Sequence, residues 1–195
     1  VDAVIIYDTG STDKTLEIIK DFCEKHSMNV YIEQGEFVDY ATSRNISLDF
    51  ADTIDVAYIL LLDCNDELQG GDELKKIAKN MYTQPNAAFL LCQKWWSGTI
   101  TKYYNIRFVK NRKNWRYKGS VHEWMVDTTN PDNEPVHPVV RITDEIVIYQ
   151  DRTQDDDKSA KRFKRDRDLL LKSYDKDPKD PRTLFYLAQT CECLL

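Results

Sequence analysis

Two apolar, β-branched runs that each stop at an acidic turn constrain this chain more than any other feature. Residues 1–7 form an almost unbroken apolar run ending in Asp8-Thr9-Gly10, and residues 56–62 form a second ending in Asp63-Cys64-Asn65-Asp66-Glu67. A run that is apolar on both faces suits a strand covered on both sides, as in parallel sheets. Between the two, Leu16, Ile18, Ile19 and Phe22 recur at helical spacing. Residues 28–32 then give a short strand, and residues 38–50 carry a helical pattern with Ala41, Ile46, Leu48 and Phe50. Strand, helix, strand, helix, strand predicts a doubly wound α/β sheet.

After Gly70-Gly71 the pattern changes. Asp72 is placed to cap a helix reaching about Tyr82, which Gln84-Pro85-Asn86 ends. Longer strands follow over 87–96 and 100–109, with Ser97-Gly98 as a hairpin turn. Residues 110–118 and 131–138 read as loops, and 139–149 as a last strand. From Lys158 the chain becomes charged and helical, with Ala160, Phe163, Arg167, Leu170 and Tyr174 on one face. Asp177-Pro178 and Asp180-Pro181 break that helix, and Pro181 suits the first turn of the next. The stripe Leu184, Leu187, Ala188, Cys191 and Leu195 then has nothing after it to pack on, so the helical region is expected to continue past the last residue.

A length of 195 residues allows one domain with a full core plus a small appendage, divided here as 1–150 and 151–195. The net charge of -6 argues against a nucleic-acid partner, which would call for a basic face. No stretch reaches the roughly eighteen apolar residues of a membrane span. Cys23, Cys64, Cys92, Cys191 and Cys193 read as reduced, buried small hydrophobes, which points to a cytoplasmic, reducing compartment.

Three clusters can carry chemistry. Asp8 stands at a strand end, where open α/β sheets bind ligands, with Ser11, Thr12 and Asp13 at the mouth of the next helix. Helix capping explains Ser11, Thr12 and Asp13 equally well; it leaves Asp8 unexplained. In an extended chain Asp63 and Asn65 fall on the same side, where two oxygen donors can share Mg²⁺ or Mn²⁺ and neutralise a diphosphate leaving group. Solvated surface is the competing reading. His122 can ligate a metal and Glu123 can act as general base; if the segment is extended, these neighbours point oppositely and serve different tasks. A structural histidine against Trp124 is the alternative, and His26 and His137 read as surface residues. Trp95, Trp96, Trp115, Trp124, Tyr103, Tyr104 and Tyr117 read mostly as core, with one or two rings free to stack on a sugar.

Asp8-Thr9-Gly10-Ser11-Thr12-Asp13-Lys14-Thr15, Ser43-Arg44-Asn45, residues 61–68 and Gly119-Ser120-Val121-His122-Glu123 follow one another in an order that resembles the family 2 glycosyltransferases of GT-A fold. The resemblance covers residues 1–150. It implies a Rossmann-like mixed sheet flanked by helices, and inverting, metal-assisted transfer from a nucleotide-diphosphate sugar to an acceptor hydroxyl on a glycan, protein or lipid. Asp8, Ser11, Asp13, Arg44 and Asp63 would bind the donor. Asp63, Asn65 and His122 would hold Mn²⁺ or Mg²⁺, and Glu123 would be the base, with Asp66 a second catalytic candidate and a substitute for the usual second aspartate. The chain departs from the family in having Asn65 at that aspartate, and Ile148-Tyr149-Gln150 where many relatives carry a histidine. The family normally has a strand and helix before the segment that opens here, so the chain is expected either to lack them or to begin mid-protein. An inactive, nucleotide-sugar-binding or protein-interaction module is therefore the second reading. The tail, residues 177–188, resembles the opening of a tetratricopeptide array, a surface for protein partners.

Overall fold

A computed structural model describes residues 1–84, 88–97, 99–111, 114–129, 138–153 and 159–195, the side chains of 159 and 160 excepted. Pro85, Asn86, Gly98, the loop at 131–137 with His137, and Lys158 lie outside the described residues.

The opening apolar run becomes β1 (Ala3–Asp8), followed by α1 (Thr15–Lys25), β2 (Asn29–Gln34) and α2 (Tyr40–Ala51). β1 and β2 pair in parallel, Ala3 opposite Asn29 through Asp8 opposite Gln34. The expected single parallel sheet does not form around them. β1 and β2 make a two-stranded sheet of their own, while β3 (Tyr58–Leu60) joins a six-stranded mixed sheet with β4 (Glu67–Gln69), β5 (Ala88–Trp96), β6 (Ile100–Lys110), β9 (Val139–Arg141) and β10 (Val147–Asp151). β3 is antiparallel to β6, and β6 to β5.

Residues 139–149 are not one strand. β9 and β10 both run parallel to β5, beside its Ala88–Leu90 and Cys92–Trp96 segments respectively. Ile142 N–H still donates to Leu90 O of β5, residues 143–146 leave the ladder after it, and Asp144 in that excursion accepts from Lys102 and Tyr104 of β6. α3 (Gly71–Asn80) starts two residues earlier than a cap at Asp72 would allow, because the N-cap is Gly70 at φ +80° and Asp72 lies in the first turn. Residues 115–118 form β7 (Trp115–Lys118) and not a loop; it pairs with β8 (Trp124–Asp127) in a hairpin. The physical reason is period-two alternation, with Trp115 and Tyr117 turned into the core between more exposed Arg116 and Lys118.

The six-stranded sheet is packed on both faces. Leu74 of α3 meets Phe89, Leu91, Phe108, Ile146 and Ile148, with Tyr58 stacked on Phe108 at 4.8 Å. Ala41 and Leu48 of α2 meet Ala88, Val109, Trp115, Tyr117 and Met125 in the second cluster. Each fully buried side chain of this size, such as Phe89, contributes about 1.5–3 kcal/mol by leaving water. α4 (Ser159–Lys176) and α5 (Pro181–Glu192) follow, with Asp180 capping α5 and Pro181 at its start. Leu169 and Leu170 pack on Val121 of the hairpin tip, whereas Leu184, Ala188, Cys191 and Leu195 are exposed. Only Cys23 and Cys92 are buried; Cys64, Cys191 and Cys193 are exposed, so the all-buried reading of the thiols is corrected. No helix among the described residues is long and apolar enough to cross a membrane.

Candidate functional site

The second acidic turn does not continue the strand. Asp66 N–H donates to Asp63 O at 3.0 Å, and Asp66 Oδ2 accepts from Asp63 N–H at 2.9 Å, so residues 63–66 close into a β-turn clasped by Asp66. The turn cancels the alternation that would have aligned Asp63 with Asn65. Asn65 is exposed. Gln150, near the end of β10, donates to the other Asp66 oxygen at 3.1 Å. Burial, the largest influence on Asp66, pushes its carboxyl above the ordinary carboxylate value.

Asp63 points between two arginines. Arg44 Nη2 of α2 donates to Oδ1, and Arg107 Nη2 of β6 lies 3.2 Å from Oδ2. The sheet explains Arg107: Leu61 N–H donates to Arg107 O at 2.8 Å, so the chain leaves β6's edge beside that residue. Asp63 is 30% exposed; burial alone would raise its carboxyl, but Arg107 and Arg44 outweigh it and hold the group below the usual range. Arg44 reaches further, donating through Nε to Glu123 Oε1 at 2.7 Å. Three distant segments thus meet through one guanidinium, because α2 is tied to β7: the Asn45 side chain accepts from Tyr117 N–H at 2.7 Å and donates to Tyr117 O at 2.9 Å. Arg107 Nη1 and Tyr117 Oη are buried beside this network without a hydrogen bond among the described residues. Burial pushes the Tyr117 phenol up, and that of nearby Tyr103 to about 12.

Asp8 is 6% exposed and accepts from Ser11 N–H and Oγ and from Gln34 Nε2. The Ser11 hydroxyl, then Gln34, hold its carboxyl below the ordinary value. Asp13, one residue before the N-cap Lys14 of α1, accepts from the Thr15 backbone N–H and hydroxyl. Both carboxylates therefore organise the turn after β1, and among the described residues none of their hydrogen bonds reaches the Asp63 network.

The Gly119-Ser120-Val121-His122-Glu123 segment is the tip of the β7–β8 hairpin, not an extended strand. His122 and Glu123 still diverge. Glu123 turns to Arg44, while the His122 ring stacks on Tyr186 of α5 at 4.1 Å and 18°. Burial lowers the His122 pKa, and the charges that bear on it most are Asp166 and Glu123, then Arg182 and Arg162. Asp63 is not among them. Among the described residues no three His, Cys, Asp or Glu side chains converge as metal ligands.

Of the expected site residues the structure brings together Arg44, Asp63, Asp66 and Glu123. Asp8, Ser11 and Asp13 form their own turn, Asn65 is exposed, and His122 joins the C-terminal helices. Arg107, Tyr117 and Gln150 were missed as site residues. Arg107 did carry a signal, a lone cation inside the apolar run Ile106-Arg107-Phe108-Val109.

A comparison with protein-family models matches residues 1–133 to Glycosyl transferase family 2. The chain belongs to that family. Mixed sheet, flanking helices and acidic turn at a strand end agree with the GT-A-like fold of such transferases. Glycosyl transfer is accordingly the general chemistry of this transferase, with a sugar donor and an acceptor as its substrates. No curated protein matches the chain.

Proposed function

We propose that this glycosyltransferase moves a sugar from a nucleotide-diphosphate donor to an acceptor hydroxyl with inversion, Glu123 being the base. The observation that carries the reading is the shared guanidinium of Arg44, which ties Glu123 to Asp63. Arg44 occupies Glu123 Oε1 and leaves Oε2 without a hydrogen bond among the described residues, available to an acceptor. In that step the acceptor oxygen forms a bond to the anomeric carbon as its proton passes to Oε2. The bond to the diphosphate oxygen breaks, and the nucleoside diphosphate leaves with the electron pair. Arg44 and Arg107 supply fixed positive charge beside the turn where that diphosphate would lie. Asp8, with Ser11 and Asp13, is the candidate nucleoside contact.

A divalent cation would need Asp63 and Asn65 as its first donors, with His122 as a third. The arrangement does not fit one: two guanidiniums bracket Asp63, Asn65 is a neutral exposed amide, Asp66 clasps the turn, and His122 stacks on Tyr186. No step here runs through a metal. The same occupied Asp63 favours a second reading, a binding module without turnover. Residues 1–150 are read as the transferase domain and 151–195 as a helical extension whose exposed stripe on α5 suits a tetratricopeptide-like protein contact. Three exposed thiols support a cytoplasmic, reducing compartment.

Calorimetric titration with UDP- and GDP-sugars, with and without Mn²⁺, tests the reading when paired with a turnover assay. Binding abolished by Asp63→Ala, with turnover abolished by Glu123→Gln, is the expected result. Binding without turnover in the wild type would establish the module instead, and absence of any nucleotide-sugar binding would remove both.

A further inference from the structure

The hairpin tip that carries Glu123 needs left-handed backbone at two positions, one of them not a glycine. Gly119 sits at φ +90°, and a Cβ there would meet the Trp124 ring at 2.7 Å. His122 sits at φ +53°, in the left-handed region that a non-glycine residue disfavours because its Cβ crowds the following carbonyl oxygen. Such backbone persists only where surrounding contacts over-determine it. Here the contacts come from α4 and α5, residue by residue. Ser120 Oγ lies 2.8 Å from Ser173 Oγ, and Val121 is buried against Leu169 and Leu170. The His122 ring stacks on Tyr186, and His122 O accepts from Arg182 Nη2 at 2.7 Å. The Arg182 guanidinium lies 4.1 Å from the Trp124 ring centre and 4.9 Å from that of Tyr186. The next residue after this grip is Glu123, whose carboxylate reaches Arg44.

We infer that the C-terminal helix pair is a working part of the active site, with Arg182 and Tyr186 as positioning residues that aim Glu123. The inference rests on Glu123 being the base. The two residues act on opposite sides of His122, one on its carbonyl and one on its ring, so each restrains a different freedom of the tip. Aromatic stacking is what Tyr186 supplies, and phenylalanine supplies it equally.

Arg182→Ala, Tyr186→Ala and Tyr186→Phe in the full chain, each checked for a cooperative melt, are compared with the wild type in two measurements. The first is steady-state transfer with the donor the enzyme accepts. Arg182→Ala and Tyr186→Ala are expected to lower kcat about 10–100-fold with donor KM within about twofold, the scale at which a misplaced group costs rate. Tyr186→Phe is expected to stay within about threefold of wild type. The second is amide hydrogen exchange by mass spectrometry, where both alanine variants are expected to speed exchange of peptides covering 119–123 and leave β5 and β6 unchanged. This arm needs no activity, so it decides the grip even if no donor is found. Wild-type kcat or unchanged exchange at 119–123 in both alanine variants would overturn the inference, as would Tyr186→Phe falling as far as Tyr186→Ala. Wild-type turnover by Glu123→Gln would instead overturn the base assignment, whatever the exchange shows.

Discussion

Replacing Arg44 with alanine strips one cation from two carboxylates at once. The Arg44 side chain is 23% exposed, Asp63 30% and Glu123 16%, so all three lie mostly out of water. Removing one member of a fully buried ion pair costs about 3–5 kcal/mol, because the partner is left charged and unpaired. Two features reduce that figure here. Asp63 keeps Arg107, and every member retains some access to solvent. Glu123 has no other ion pair among the described residues, and it bears the larger share of the loss. A cost of about 2 kcal/mol follows, which in a chain of this size lowers Tm by about 4–8 °C. Thermal unfolding followed by circular dichroism measures it. A double-mutant cycle with Glu123→Gln isolates the pair, with coupling of about 1 kcal/mol expected. A Tm drop below about 1 °C, or additive losses in the cycle, would refute the claim that this guanidinium holds the site together.

Gly70→Ala should cost about 2 kcal/mol or more: φ is +80°, and the new Cβ would meet Glu145 O at 2.6 Å, a backbone atom that cannot swing aside. A urea-unfolding midpoint unchanged from wild type would count against it. Asn45→Ala should cost about 1–3 kcal/mol by leaving Tyr117 N–H and C=O without their partner, and should also lower transfer by loosening α2 against β7; equilibrium unfolding and turnover measure the two effects. Because burial lowers the folded pKa of His122, its neutral form is favoured in the native state. Its contribution to stability is complete above the ordinary value of 6.5 and is lost as pH falls through the lowered one. Between about pH 7.5 and 5.5 the wild type should therefore lose more Tm than His122→Asn, which keeps a residue tolerant of the left-handed backbone; equal losses would contradict this.

Much of the fold was legible because its signals are local. The apolar run at 1–7, the helical spacing of Leu16, Ile19 and Phe22, and Pro181 behind a capping Asp180 report on neighbouring residues, and the elements formed there. Sheet membership is not local, and there the structure departs from the sequence pattern. A parallel sheet spanning β1 to β3 was expected, but β3 pairs with β6, nearly fifty residues on, and β1 pairs only with β2 among the described residues. β7 was hidden by its basic residues although Trp115 and Tyr117 alternate as a strand requires. At the candidate site, motif order singles out Arg44, Asp63 and Glu123, which the structure brings into contact. Alternation misplaced Asn65, because the carboxylate of Asp66 folds the segment into a turn, a competition no spacing rule anticipates. Arg107 comes from the partner strand, and pairing alone brings it beside Asp63.

The turn at residues 63–66 also presents a soft nucleophile. Cys64 is exposed and directly follows Asp63, so the candidate donor site carries its own covalent handle. With Cys191 and Cys193 changed to serine, a maleimide dye should attach at residue 64, and the rate of attachment becomes a measure of how often that turn is covered. A donor that binds against Asp63 should slow the labelling in proportion to its occupancy, whereas a free sugar should not.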